Sequence, residues 1–228
     1  MHILTLSFDD GFKRSSLETA EIFERFGLSA AINVVARGHL GEPDEGWHKR
    51  WPKGDFGLWN ELQARGHEIM PHGLVHANKS ELPFAESKRL IELCLDVFAD
   101  ELDGFDASQA VFAFPYNAST PELEAWLPDV VRGFRTGGEP IMPLPQPGQT
   151  KISCTSFGPE PCDVHLERLV DELLARRSGW LCYNVHGLDG EGWGPLSAST
   201  LERLLARLHE RDDVRLLTAG AALDLCSS

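Results

Sequence analysis

Short apolar runs rich in β-branched and aromatic residues recur along the chain, and each ends at a polar or turn-forming residue. Such runs are typical of strands that are buried on both faces. They predict strands at residues 2–8, 29–35, 67–70, 109–114, 130–134, 150–156, 180–185 and 214–217.

Between these runs the apolar positions return every three to four residues, which is the period of an amphipathic helix. This period predicts helices at residues 15–26, 55–65, 83–102, 121–126, 164–177 and 197–209. Residues 38–57 and 137–149 show neither period and are rich in Gly and Pro, so we expect long loops there.

The alternation of strands and helices predicts an α/β fold whose sheet is mainly parallel and carries its helices outside. The number of strands is closer to a barrel than to a minimal doubly wound sheet. The chain has no internal repeat, low-complexity tract or break in composition, so we expect a single domain over residues 1–228.

The composition argues against several classes of function. The chain has 228 residues, of which 42% are hydrophobic and 25% charged, as in soluble globular proteins. A formal net charge of −14 argues against binding to nucleic acid or to an anionic membrane surface. No run approaches the roughly 18 apolar residues of a membrane span. The N-terminus lacks the regions of a signal peptide, so we expect a cytoplasmic protein.

The five cysteines are an odd number, are widely spread and form no CxxC pair. This pattern argues against a disulfide framework and against a zinc ribbon, so we expect buried free thiols. They are Cys94, Cys154, Cys162, Cys182 and Cys226.

Several predicted strands end in side chains that can carry chemistry. In parallel barrels the C-terminal ends of the strands converge on the face that bears the active site. The residues concerned are Asp9 and Asp10 after the first strand, His72 and His76 after the third, Tyr116 after the fourth, and His186 after the strand at 180–185.

Asp9 and Asp10 point in different directions because successive side chains of a strand alternate, so we expect them to have different roles. A capping role for the helix that begins near Ser15 is the alternative. His72 and His76 are four residues apart, a spacing that brings two imidazoles to one side of a helical turn and suits one metal ion. A chance pair remains an alternative for them.

Together with one aspartate, these histidines would form a three-ligand set that leaves a coordination position open for water. His186 ends an apolar strand, where its imidazole could donate a proton to a leaving amine. A hydrogen bond at a strand–loop junction is the alternative function of His186.

Four segments resemble the motifs of the polysaccharide deacetylase family (NodB homology domain, carbohydrate esterase family 4). Residues 5–11, TLSFDDG, resemble its TFDDG motif, and residues 72–76, HGLVH, resemble its H-[ST]-x-x-H motif. Residues 112–117, FAFPYN, are similar to its R-P-P-Y-G motif, and Val185-His186 is similar to its late Leu-x-x-His motif. The resemblance spans almost the whole chain and implies a distorted (β/α)₇ barrel.

The resemblance also implies a role for each residue. Asp9 would be the general base, and Asp10, His72 and His76 would bind a divalent metal ion, usually Zn²⁺, with Co²⁺, Ni²⁺ or Fe²⁺ as alternatives. The backbone N–H of Tyr116 would stabilise the oxyanion. His186 would protonate the departing amine. The implied substrate is a small molecule or a carbohydrate.

Three positions depart from the family pattern. Gly73 replaces the hydroxyl residue that steadies the histidine loop, so that support must come from elsewhere. Ala113 stands where many members have an Arg that orients the base, which predicts an Asp9 that is more basic than in those members. Residues 152–157 contain no Asp to tune the catalytic His.

Three hypotheses follow. The first is a metal-dependent hydrolase that removes an acetyl or related acyl group from an amide nitrogen, on an amino sugar or polysaccharide. The second is a hydrolase of the same fold that acts on other C–N bonds, such as those of small cyclic amides or ureides. The third is a non-catalytic carbohydrate-binding homologue. Trp47 and Trp51 in the 38–57 loop could supply an aromatic platform for a sugar ring.

Overall fold

The computed structural model describes residues 1–37 and 50–225. The strands are β1 (His2–Phe8), β2 (Ala31–Val34), β3 (Glu68–Pro71), β4 (Val111–Ala113), β5 (Gly133–Gly137), β6 (Ile141–Met142), β7 (Lys151–Cys154), β8 (Gly179–Val185) and β9 (Val214–Leu216). The helices of four residues or more are α1 (Lys13–Glu24), α2 (Phe56–Ala64), α3 (Phe84–Glu101), α4 (Pro121–Trp126), α5 (Asp163–Ala175), α6 (Ala198–His209) and α7 (Ala219–Asp224).

Strand β1 lies at the centre of the larger sheet, where all seven of its residues are buried. It pairs in parallel with β8 along its whole length, with β9 at its beginning and with β2 at its end. A strand enclosed on both faces has to be apolar at nearly every position, which explains its unbroken hydrophobic run.

The described strands form two sheets that follow one another in the circular order of a barrel. The larger sheet runs β3-β2-β1-β8-β6, and the smaller runs β4-β5-β7. Thr155, directly after β7, pairs with Tyr183 of β8 and joins the sheets on one side. On the other side no backbone ladder joins β3 to β4 within residues 1–37 and 50–225, where the N–H of Val111 instead donates to Sδ of Met70 at 3.3 Å.

The predicted α/β fold with a mainly parallel sheet is confirmed. All the predicted strands and helices are present, although β5 begins three residues later than predicted. The antiparallel strand β6 falls inside the loop predicted at 137–149, and α7 was not predicted. The first part of the loop predicted at 38–57, including Trp47, lies outside the described residues.

Cys94, Cys154, Cys162 and Cys182 are buried free thiols, as predicted, and Cys226 lies outside the described residues. None of the helices in the part of the chain that the structure describes is both long and apolar enough to cross a membrane.

Candidate active site

The polypeptide turns sharply where β1 ends. Asp10 has a φ of 72° and Gly11 a φ of 66°, both in the left-handed region. A Cβ at position 11 would lie 2.9 Å from the Trp59 ring, so only glycine fits there. The turn leaves Asp9 and Asp10 both buried at the end of β1.

Asp10, His72 and His76 come together as the sequence predicted. Each offers one ligand atom, and these atoms lie within 4.8 Å of one another. Oδ1 of Asp10 is 3.7 Å from Nε2 of His72 and 3.4 Å from Nε2 of His76. All three side chains are buried, so the cluster is a potential metal site.

The hydrogen bonds of this cluster fit a cation. Nδ1 of His72 donates to the carbonyl of Ala113 at 2.9 Å, which leaves a lone pair on Nε2. Burial lowers the pKa of His72 despite the nearby carboxylates, so its imidazole is neutral and able to act as a ligand. In the described residues, Nε2 of His72 and Oδ1 of Asp10 have no hydrogen-bond partner. Buried acceptors normally have a partner, and a divalent ion would satisfy both of these.

Asp9 lies beside this cluster, with Oδ2 3.6 Å from Nε2 of His72. Its Oδ1 accepts a hydrogen bond from Nδ2 of Asn33 at 2.8 Å, and its Oδ2 accepts one from Nη2 of Arg135 at 2.5 Å. Burial raises the pKa of Asp9, but the positive charge of the Arg135 guanidinium opposes that effect, and the pKa lies below its usual value.

The premise that Asp9 lacks a neighbouring cation, on which its higher basicity was predicted, is wrong. Arg135 of β5 is the register partner of Ala113 in β4. The positive charge missing from position 113 thus comes from the adjacent strand at the same level of the sheet. Arg135 is fully buried and pairs with Asp9.

The loop that carries His72 and His76 is held by backbone contacts and by a buried amine. Gly73 has a φ of 95°, and its carbonyl accepts from the N–H of Ala36 at 2.9 Å. Nζ of Lys79, which is 0% exposed, donates to the carbonyl of Ala77 at 3.2 Å. Lys79 and the contact of Gly73 with Ala36 therefore help to hold this loop.

Tyr116 and His186 line the same pocket as the cluster. This cavity has a volume of about 440 Å³, within the usual range for a small-molecule site, and its wall also includes Asp10 and His76. The ring of Tyr116 lies 4.6 Å from that of His76, and the ring of His186 lies 5.3 Å from that of Trp193. Among the described residues, Nδ1 of His186 has no hydrogen-bond partner.

An amide cluster that the sequence did not reveal lies at the inner end of the pocket. Asn117 has a φ of 52°, and its Oδ1 accepts from Nη1 of Arg135 at 2.8 Å and from the thiol of Cys154 at 3.2 Å. Nδ2 of Asn184 also lies 3.4 Å from this oxygen. The signal available in the sequence was that Asn117 stands where the family motif has Gly. Asn is one of the few residues that adopt the left-handed backbone observed there.

Comparison with solved structures identifies the fold. A putative polysaccharide deacetylase from Mycobacterium smegmatis superposes with a TM-score of 0.70 at 12% identity, over 98% of this chain and 90% of that one. The fold is that of the family 4 deacetylases. A family 4 acetyl xylan esterase from Clostridium thermocellum, solved with a cobalt ion, gives a TM-score of 0.65 at 14% identity, over 98% and 91% of the two chains.

The same fold also occurs without activity. A family 4 pseudoenzyme from Bacillus anthracis gives a TM-score of 0.62 at 13% identity, over 97% of this chain and 65% of that one. No protein-family model and no curated protein matches the sequence. Function therefore has to be argued from the site.

Proposed function

We propose that this chain is a metal-dependent hydrolase that removes an acyl group from an amide nitrogen, on an amino sugar or a related small molecule. The proposal is carried by the cluster of Asp10, His72 and His76, with Asp9 beside it. Asp10 and His76 of this cluster line a pocket that His186 also lines.

Asp10, His72 and His76 would hold the metal ion. Zn²⁺ fits two imidazoles and one carboxylate, and Co²⁺, Ni²⁺ and Fe²⁺ are alternatives. When bound there, the ion would polarise the scissile carbonyl and lower the pKa of a water molecule.

Asp9 is suited to be the general base. It is buried beside the ligand set, and Arg135 keeps it ionised, so it can accept the proton of the attacking water. His186 lines the same pocket and would donate a proton to the leaving amine. The backbone N–H of Tyr116 would donate to the oxyanion.

The mouth of the pocket supports an organic substrate with a ring. The side chain of Tyr116 is 57% exposed, and Trp193 lines the cavity. Aromatic side chains combined with a few polar groups are usual in such sites. The complete set of ligands, base and acid argues against a non-catalytic homologue.

Acetate release tests this function. The purified protein is analysed for bound metal and assayed on N-acetylglucosamine oligomers, with chelator and after re-addition of Zn²⁺, Co²⁺, Ni²⁺ or Fe²⁺. We expect activity that the chelator abolishes and a metal restores. Asp9→Asn should retain metal and lose activity, whereas His209→Gln, which changes an exposed histidine at the end of α6, should behave as wild type. Full activity without metal, or none in the loaded protein, would contradict the proposal.

A further inference from the structure

The imidazole of His186 lacks the partner that usually orients a proton donor. His186 directly follows β8 and lines the pocket, and its Nδ1 is buried with no hydrogen-bond partner among the described residues. In histidines that transfer protons, a group bound to the second ring nitrogen normally fixes the orientation of the ring. In this protein another contact has to do so.

Trp193 makes that contact. Its indole meets the imidazole of His186 nearly at a right angle, with 5.3 Å between the ring centres and 83° between the ring planes. Aromatic rings prefer this edge-to-face arrangement over a face-to-face one. Because the indole lines the same cavity, it limits how far the imidazole can turn there.

Two glycines let the loop of residues 187–194 come this close to His186. Gly192 has a φ of 84°, and a Cβ there would lie 3.1 Å from Cβ of His186 and 2.8 Å from the Phe12 ring. A Cβ at Gly158 would lie 2.6 Å from the indole of Trp193. A side chain at either glycine would push the loop or the indole away from its present place.

Hydrogen bonds to neighbouring parts of the fold hold this loop in place. The carboxylate of Glu191 accepts from the backbone N–H of Ser15 in α1 at 2.9 Å. The N–H of Gly194 donates to the carbonyl of Pro159 at 3.2 Å. Neither bond involves the side chain of His186, so the loop can present Trp193 as a fixed surface against which the imidazole rests.

We propose that Trp193 is the positioning residue of His186 and replaces a carboxylate in that role. The inference rests on the proposed function. In the step concerned, the bond from the acyl carbon to the leaving nitrogen breaks, and the nitrogen keeps the electron pair. The nitrogen takes a proton from the imidazolium of His186, which becomes neutral. Trp193 holds the imidazole in the orientation that this transfer requires.

A double-mutant cycle tests this role. Zinc-loaded wild type, Trp193→Leu, His186→Gln and the double variant are assayed on N-acetylglucosamine oligomers, and mass spectrometry counts the freed amines. We expect Trp193→Leu to lower kcat/KM about tenfold to a hundredfold in the wild-type background. In the His186→Gln background the same exchange should change kcat/KM by about twofold at most, because the group that it positions is gone. Equal losses in both backgrounds would overturn the inference and leave the proposed function intact.

Three controls separate positioning from folding. Trp193→Phe keeps an aromatic ring beside His186 and should retain most of the activity. Trp126→Leu removes an indole on α4 that packs against Phe84, outside the pocket, and should behave as wild type. The ester 4-nitrophenyl acetate loses its phenolate without a proton, so Trp193→Leu should hydrolyse it as wild type does. Equal losses on the ester and the amide would also overturn the inference. A loaded wild type that frees no amine would overturn the proposed function as well.

Discussion

Oδ2 of Asp9 accepts a hydrogen bond from Nη2 of Arg135, although 126 residues separate them in the sequence, and both side chains are 1% exposed. The pair joins the end of β1 to β5 across the inside of the fold. Asp9 can remain ionised in a buried place because this guanidinium lies against it.

Replacement of Arg135 tests that dependence. In Arg135→Met the pKa of Asp9 should rise, because burial then acts without the opposing charge. The base is active only when it is ionised. On acidification, activity should therefore fall at a higher pH in the variant than in wild type. The pH profile of kcat/KM measures this shift. Breaking a buried pair also costs about 3–5 kcal/mol of stability, so melting is followed in parallel.

Arg132→Met is the matched control, because Arg132 pairs with Asp224 away from the pocket. Its pH profile should match that of wild type. An acid limb in Arg135→Met that coincides with the wild-type limb would contradict the role of Arg135.

Metal binding should stabilise the folded chain, because its three ligands are brought together only by folding. At free Zn²⁺ of one hundred times Kd, the gain is about 2.7 kcal/mol. Calorimetry with zinc and then with chelator measures it. His76→Asn should melt at the same temperature with zinc and with chelator. His209→Asn should gain stability from zinc as wild type does. A zinc response that survives in His76→Asn would place the ion elsewhere.

Lys79 makes stability depend on pH in the alkaline range. Burial lowers its pKa from 10.5 to about 8 in the folded protein. Between these two values the unfolded chain binds the extra proton, so the free energy of unfolding should rise as the pH increases from 8 to 10.5. The total rise should be about 3 kcal/mol, since one pKa unit corresponds to about 1.4 kcal/mol.

Chemical denaturation of wild type and Lys79→Met across this range measures the effect. The variant should lack this rise. Lys88→Met, which changes a partly exposed lysine of α3 that pairs with Glu92, should keep it. If the free energy of unfolding changed equally with pH in wild type and in both variants, Lys79 would not be the source of the pH dependence.

Glu191 anchors the loop that carries Trp193. Its buried carboxylate accepts hydrogen bonds from both the backbone N–H and the hydroxyl of Ser15 at the start of α1. Glu191→Ala should therefore destabilise the protein by about 2 kcal/mol and raise KM more than it lowers kcat. Denaturation and steady-state kinetics test this. Glu167→Ala, a surface glutamate that pairs with Arg203, should change neither. A wild-type KM in Glu191→Ala would show that this loop does not contribute to substrate binding.

The sequence predicted the geometry of the site where the residues concerned lie close together in the chain. Asp9 and Asp10 adjoin, and His72 and His76 are four residues apart, so each pair reveals its geometry within a few residues. Arg135 could not be found in this way, because its relation to Asp9 depends on the register of β4 with β5. The short strand β6 was missed for a similar reason, since two residues show no period and it exists only through pairing with β8.

The left-handed turn at Tyr116 and Asn117 limits how this protein can be improved. Glycine at position 117 would adopt this backbone without strain. The same exchange would remove the oxygen that receives Arg135, Cys154 and Asn184. A change toward the family consensus at this residue would therefore leave a buried guanidinium donor without its acceptor and cost stability.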